Sequence, residues 1–304
     1  MDQELEHRLN AGIIIIDKPR GPSSHEVAAW AQKMIGVSAG HGGTLDPKVS
    51  GVLAVMTGKA VKLAPLLLNE DKEYIALLRL HGDVQRSDLE QVIREYTGKI
   101  YQRPPQKSAV SRQLRIREIY AIDILDVQGR LVLLRVQCEA GTYIRSLCRH
   151  IGLSLGVGGH MQELRRTRSG LFTEQDTCTL YDLKDAVVAL ENGDPAPLLS
   201  LIRSPDEVAA ALPSIVIRDT AVDAVCHGAV LAGVGVVSRD PHKKGDEVAV
   251  LTAKGELVCI GTALVPSEDY EPGQTGLVIR PTAVIMAPGT YPPGWKKHRV
   301  ETDD

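Results

Sequence analysis

The chain reads as an α+β protein with a mixed or antiparallel sheet, followed by a small C-terminal β-barrel. Three observations predict this. Strand-like and helix-like runs are mixed through the first two thirds without strict alternation, which argues against a doubly wound parallel sheet. Four prolines, Pro195, Pro197, Pro205 and Pro213, mark a linker zone. Beyond them the pattern changes to short strand-like runs with turn residues between, as in a small barrel. The 304 residues allow about two domains. Their boundaries are drawn at 12–205 and 212–290. Residues 1–11 carry little signal of their own and are assigned to pack on the second domain.

Taken in order, Ile13–Ile16 is a β-branched run that reads as a buried strand. Ser23 and Glu26 form a capping box, so a helix is expected to about Met34, closed by Gly36. Gly51–Met56 is a second apolar run, and Ala60–Leu68 reads as one helix. Tyr74–Leu80 reads as a strand. Ser87 and Glu90 look like a second capping box, opening a helix that ends before Gly98. Residues 101–117 are basic and loop-like. Ile119–Leu125 and Leu131–Cys138 read as two strands around a turn, followed by a helix to about Leu155 and another over Leu180–Leu190. In the last part, strands are expected at Ile215–Ile217, Glu247–Leu251, Leu257–Val265 and Leu277–Met286, with a short helix at Asp219–Cys226.

Composition narrows the function classes. Hydrophobic residues make up 43% and aromatics 4%, with one Phe, so the cores must be aliphatic. No apolar run approaches the ~18–20 residues a membrane span needs, and the first eleven residues have no signal-peptide core. The five cysteines form no CxxC pair, which argues against a zinc or disulfide framework and for buried thiols in a reducing, cytoplasmic setting. Residues 12–175 carry 23 Lys and Arg against 16 Asp and Glu, while the remainder carries 12 against 22. A basic lobe on a chain of net charge −3 suits a polyanionic partner.

The stretch that organises the rest is Gly40-His41-Gly42-Gly43-Thr44-Leu45-Asp46-Pro47. Glycines let the backbone approach a ligand closely, and Pro47 biases Asp46 toward an extended conformation. A lone carboxylate on a stiff loop is a candidate for chemistry. Gly51…Gly58-Lys59 is not a phosphate loop, because six residues separate the glycines where a Walker loop has four.

Asp17-Lys18-Pro19, His41-Gly42-Gly43-Thr44-Leu45-Asp46-Pro47, Lys72-Glu73-Tyr74, Gly141-Thr142-Tyr143-Ile144-Arg145 and Leu164-Arg165-Arg166-Thr167-Arg168 occur in this order. Together they resemble the TruB/dyskerin class of pseudouridine synthases over about residues 12–290. Within that class the resemblance is nearest to the archaeal members that act with an H/ACA guide RNA. Residues Ala224–Ala229 look like part of a PUA domain.

The resemblance implies a set of roles. Asp46 matches the catalytic aspartate, Tyr74 the tyrosine that stacks on the target uracil, and Arg145 the arginine that pairs with the aspartate. Lys18, Tyr143 and Leu164 match residues lining the pocket, and His41 the histidine near the flipped nucleotide. RNA contacts are expected from Arg112 and Arg115, from the second basic cluster of Arg165, Arg166 and Arg168, and from the Gly228-Ala229 turn.

The chemistry agrees with these residue types. Isomerisation breaks the uracil–ribose bond, turns the ring and joins C5 to the sugar, with no net redox change. An ionised carboxylate can attack the sugar or remove a sugar proton, and a guanidinium beside it favours the charged form. The carboxylate oxygen is expected to be buried, since a closed pocket retains the freed base. The uridine must be flipped out of its stack, and an aromatic face returns ~1–3 kcal/mol of that cost. No cofactor or metal is called for.

Bacterial members of the class carry a longer insertion between the Tyr74 strand and the Gly141–Arg145 motif, where they grip tRNA directly. Here that stretch is short. The resemblance therefore implies an enzyme that receives rRNA or tRNA uridines through an H/ACA guide RNA and the small core proteins of that particle. A stand-alone enzyme on the tRNA T-arm and a non-catalytic RNA scaffold are the alternatives.

Overall fold

The computed structural model describes residues 3–104 and 113–294. The chain divides into two compact units. One comprises Ile14–Met56 and Ala64–Leu201, the other Met1–Ile13, Thr57–Leu63 and Ile202–Asp304.

The elements follow in chain order. They are α1 (Gln3–Asn10), β1 (Ala11–Lys18), α2 (Ser24–Ile35), β2 (Ala39–His41), β3 (Ser50–Gly58), α3 (Ala64–Asn69) and β4 (Lys72–Leu80). Next come α4 (Arg86–Glu95), β5 (Gly98–Gln102), β6 (Arg115–Gln128), β7 (Leu131–Cys138), α5 (Ile144–Ser154), β8 (Gly159–Ser169) and β9 (Phe172–Thr173). Three helices, α6 (Leu180–Glu191), α7 (Ala196–Leu201) and α8 (Asp206–Ala209), lead to the C-terminal elements.

The larger sheet runs in the order β1-β3-β8-β4-β7-β6-β5, with β2 on β3 and β9 on β8. β3 and β8 are parallel, whereas β4 is antiparallel to both β8 and β7. The sheet is therefore mixed. Its core gathers Leu45, Tyr74, Ala76, Leu134, Leu147, Ile151 and Leu164 into one apolar cluster. α2 begins on the expected Ser23 capping box and ends at Gly36.

Several local expectations are corrected. The polar N-terminus forms a helix, α1, whose Leu5 and Leu9 are buried one turn apart. The helix expected over Ala60–Leu68 is a 3₁₀ turn, Lys59–Leu63, followed by α3. Pro65 has no N–H to continue the ladder, so the helix restarts there. The second capping box does not form. α4 is preceded by Gln85, without a side-chain cap, and Glu90 instead pairs with Arg86 at 2.6 Å. The 101–117 stretch is strand at both ends, with Tyr101 opposite Ile116 and Gln102 opposite Arg115. The proline-marked zone contains α7 and α8, because proline is tolerated at a helix start.

The second sheet is built from β10 (Ser214–Ile217), β11 (Leu231–Ala232), β12 (Val236–Arg239), β13 (Glu247–Thr252), β14 (Leu257–Ala263) and β15 (Leu277–Val284). Its order is β11-β15-β14-β13-β10-β12, a near-barrel around Ile215, Val248, Val258, Cys259 and Ile279, with α9 (Asp219–Cys226) against it. β11 and β12 were not expected: β11 is two residues long, and β12 ends on Ser238 and Arg239 rather than on an unbroken β-branched run like that of β10. All five cysteines are buried and free. Among the described residues, no helix is long and apolar enough to cross a membrane.

Candidate active site

The Asp46 loop is held from several sides. Gly42 N–H donates to the Ala54 carbonyl at 2.9 Å, and Gly21 N–H to the Pro47 carbonyl at 2.8 Å. The buried Ser24 hydroxyl accepts from Leu45 N–H at 2.7 Å and donates to the Leu45 carbonyl at 3.1 Å. Val49 N–H closes a turn onto the Asp46 carbonyl at 2.9 Å. Gly43 has φ +128°, a conformation L side chains rarely adopt. Gly51 sits where a Cβ would lie 2.1 Å from the Arg166 carbonyl, so only glycine allows β3 to lie this close to β8.

Asp46 therefore projects from a fixed backbone. Its carboxylate meets Arg145, from the first turn of α5, at 2.6 Å across 99 residues of sequence. The pair is open, with side-chain exposures of 58% for Asp46 and 49% for Arg145. The expectation of a buried carboxylate oxygen is corrected here, because the loop turns its apolar Leu45 inward and Asp46 outward. The start of α5 is set by Gln102. That buried side chain accepts from Tyr143 N–H at 2.9 Å and donates to the Tyr143 carbonyl at 3.1 Å.

Beneath the pair, strand periodicity brings the other groups together. Tyr74 and Ala76 on β4 lie opposite Arg166 and Leu164 on β8. Tyr74, Leu164 and Leu45 share one core cluster, and Tyr143 is half-buried at the entry to α5. Lys18 is fully buried and donates to the carbonyls of Val49 (2.7 Å) and Pro19 (2.9 Å). Burial pushes its ammonium below the usual lysine value, and Asp46 partly opposes this. Burial likewise raises the Tyr74 phenol against a lowering by Arg166. His41 is half-buried and packs edge-on against His25, with ring centroids 4.6 Å apart. Burial, then His25 and Arg166, lower its basicity.

The expected RNA-contacting arginines divide. Arg166 is 2% exposed and donates to the carbonyls of Val52 (2.8 Å) and Gly43 (3.2 Å). A surface phosphate cannot reach it, so the expected contact is corrected; its position on β8 points inward with Leu164. Arg165 is bound by Asp17 in a two-pronged ion pair at 2.9 and 3.0 Å, and by Glu174. Arg168 and Arg115 are half-buried at strand positions, and Arg112 lies outside the described residues. Gly228 and Ala229 are exposed after α9, and Gly228 has open space where a Cβ would be. Ser24, Gln102 and the inward turn of Arg166 escaped the sequence. The doubled serine at 23–24 was the one available signal, since only one of the two can cap the helix.

Comparison with known proteins decides the family. Residues 32–144 match the TruB family pseudouridylate synthase N-terminal domain and 145–209 the tRNA pseudouridylate synthase B C-terminal domain. Residues 213–285 match a PUA domain and 1–28 a DKCLD (NUC011) domain. A protein of Methanosarcina barkeri named probable tRNA pseudouridine synthase B is 50% identical over 292 residues, 95% of this chain and 86% of the relative. The chain belongs to the TruB family of pseudouridine synthases. It is an isomerase that converts uridine in RNA to pseudouridine. A relative of the same name from Methanopyrus kandleri is 50% identical over 97% of this chain and 88% of its own. Among solved structures, the synthase is similar to a chain of a Cbf5-Nop10-Gar1 complex. The TM-score is 0.88 at 48% identity, covering 95% of this chain and 89% of that one. It is also similar to a chain of an H/ACA RNP bound to a substrate RNA containing 2′-deoxyuridine, with TM-score 0.87 at 45% identity, covering 96% and 90%.

Proposed function

We propose that the synthase is the catalytic subunit of an H/ACA ribonucleoprotein, isomerising rRNA and tRNA uridines that a guide RNA presents, in the cytoplasm. The observation that carries this reading is similarity over 96% of this chain, at 45% identity, to a chain solved within an H/ACA RNP bound to substrate RNA. The short span between β4 and α5 supports it further, since it leaves little chain with which to grip tRNA directly. The partners are guide RNA, substrate RNA and the small core proteins of the particle. Residues 12–205 are assigned to catalysis and 212–290 to the PUA domain. There the exposed Gly228-Ala229 turn admits bases closely.

In the catalytic unit, Asp46 acts on the ribose, by attack at C1′ or removal of a sugar proton. The N1–C1′ bond breaks, uracil turns, the C5–C1′ bond forms, and a proton passes from C5 to N1. Tyr74 packs against the uracil, Arg145 orients Asp46, and Lys18, His41, Tyr143 and Leu164 shape the pocket. Arg115 and Arg168, with Arg112, face the phosphates. Stand-alone action on tRNA is the second reading, favoured by the names of the curated relatives.

One assay separates these. Uridine-labelled RNA is incubated with the protein, with and without an H/ACA guide and core proteins, and pseudouridine is scored. Product only with the guide is the expected result. Product from the protein alone selects the second reading, and RNA binding without product under any condition selects a scaffold.

A further inference from the structure

Arg166 is a buried cation whose partners are not carboxylates. Its Nε and Nη2 donate to two backbone carbonyls, one on β3 and one on the glycine loop. Across the β4–β8 ladder it lies directly opposite the buried Tyr74. Burying a guanidinium costs several kcal/mol, and an apolar side chain of similar volume serves packing better. The neighbourhood makes that cost larger. Lys18 and Lys72 are also buried, and each is destabilised as a cation by Arg166.

Shape explains what the charge alone does not. A guanidinium is a rigid plane with donors at fixed angles. One such plane here bonds two separate segments, Val52 on β3 and Gly43 three residues before Asp46, from a position opposite a third, Tyr74 on β4. A lysine could reach one of these acceptors but could not fix their mutual angles. Bonding energy spent in this way sets geometry rather than affinity.

We propose that Arg166 is a positioning residue for the isomerisation: it holds the Gly43 end of the Asp46 loop and the Tyr74 hydroxyl in the arrangement that turnover requires. The proposal rests on Asp46 and Tyr74 acting as assigned above. It places Arg166 outside RNA binding altogether.

The test measures single-turnover rate and RNA affinity separately, on the full-length protein in whichever assembly gives product. Arg166→Lys keeps the charge, Arg166→Gln keeps two donors without it, and Tyr74→Phe keeps the ring without the hydroxyl. Arg166→Lys and Tyr74→Phe should each slow turnover about tenfold or more, with the RNA Kd within about twofold of the parent. Because both act through one contact, the double variant should be no slower than the slower single variant. Parental turnover in a folded Arg166→Lys or Arg166→Gln protein overturns the proposal. So does additivity in the double variant, or a loss carried by Kd alone. Should neither arginine variant fold, Tyr74→Phe decides, since parental turnover there means the held hydroxyl is not used. Asp46→Asn run alongside separates the two levels. Product from it removes the underlying assignment, whereas a dead Asp46→Asn beside an unimpaired Arg166→Lys removes only this inference.

Discussion

Two sets of charges meet around the Asp46 loop and are treated in opposite ways. Asp46 and Arg145 stand at the rim, about half exposed, joined to each other at 2.6 Å. Lys18, Lys72 and Arg166 lie below, between 0% and 4% exposed, and are satisfied by backbone carbonyls. An exposed ion pair contributes about 1 kcal/mol or less, so an incoming nucleotide can part it cheaply. A buried cation with its hydrogen bonds made cannot leave without a penalty of several kcal/mol. The rim is where partners exchange, and the floor is where positions are kept.

The comparison breaks most sharply at Asp46. Asp46→Asn preserves shape and removes the charge, so turnover should fall at least about 10³-fold, roughly 4 kcal/mol of barrier. RNA affinity should stay within about twofold. Single-turnover kinetics with a parallel binding titration checks both, and near-normal turnover would return Asp46 to being a surface turn residue.

The floor is tested by pH. Burial holds Lys72 down from 10.5 to about 8. The folded chain then binds fewer protons than the unfolded chain between those values, so stability rises with pH across the window and is lost as pH falls through 8. The full gain is about 3 kcal/mol. Urea unfolding of the parent and of Lys72→Met from pH 7 to pH 10 should show the parent gaining on the variant. A constant difference between the two curves would mean that the Lys72 ammonium is well solvated.

Arg145 should give the smallest effect. Arg145→Ala removes one half of an exposed pair, so stability should change by less than about 1 kcal/mol. Turnover should fall about tenfold, roughly 1.4 kcal/mol. A large drop in melting temperature would place Arg145 with the floor rather than the rim.

Much of this was legible in the sequence where the signal is local. Ser23 and Glu26 are three residues apart, and the box they form is present. Tyr74–Leu80 is a short, nearly continuous apolar run that reads as a strand, and its burial alternates in the structure. The Asp46–Arg145 pair was legible through family resemblance, because 99 residues of chain separate partners that no period connects. Arg166 was misread for a physical reason. Arginine belongs at the surface by default, and only the position of Leu164 on the same face of β8 hints otherwise. Gln102 and Ser24 act on residues 41 and 21 positions away, and the doubled serine at 23–24 is the only local trace of either contact.

By itself the chain determined its α+β class, the change to a small β domain after the prolines, its family and the loop that carries Asp46. These follow from patterns of a few residues and from motif strings. The tertiary structure alone decided which charges are open and which are sunk. Solvation depends on what packs over a side chain, and here that comes from strands distant in sequence: β3 and β4 flank Arg166 of β8, while nothing among the described residues closes over Asp46.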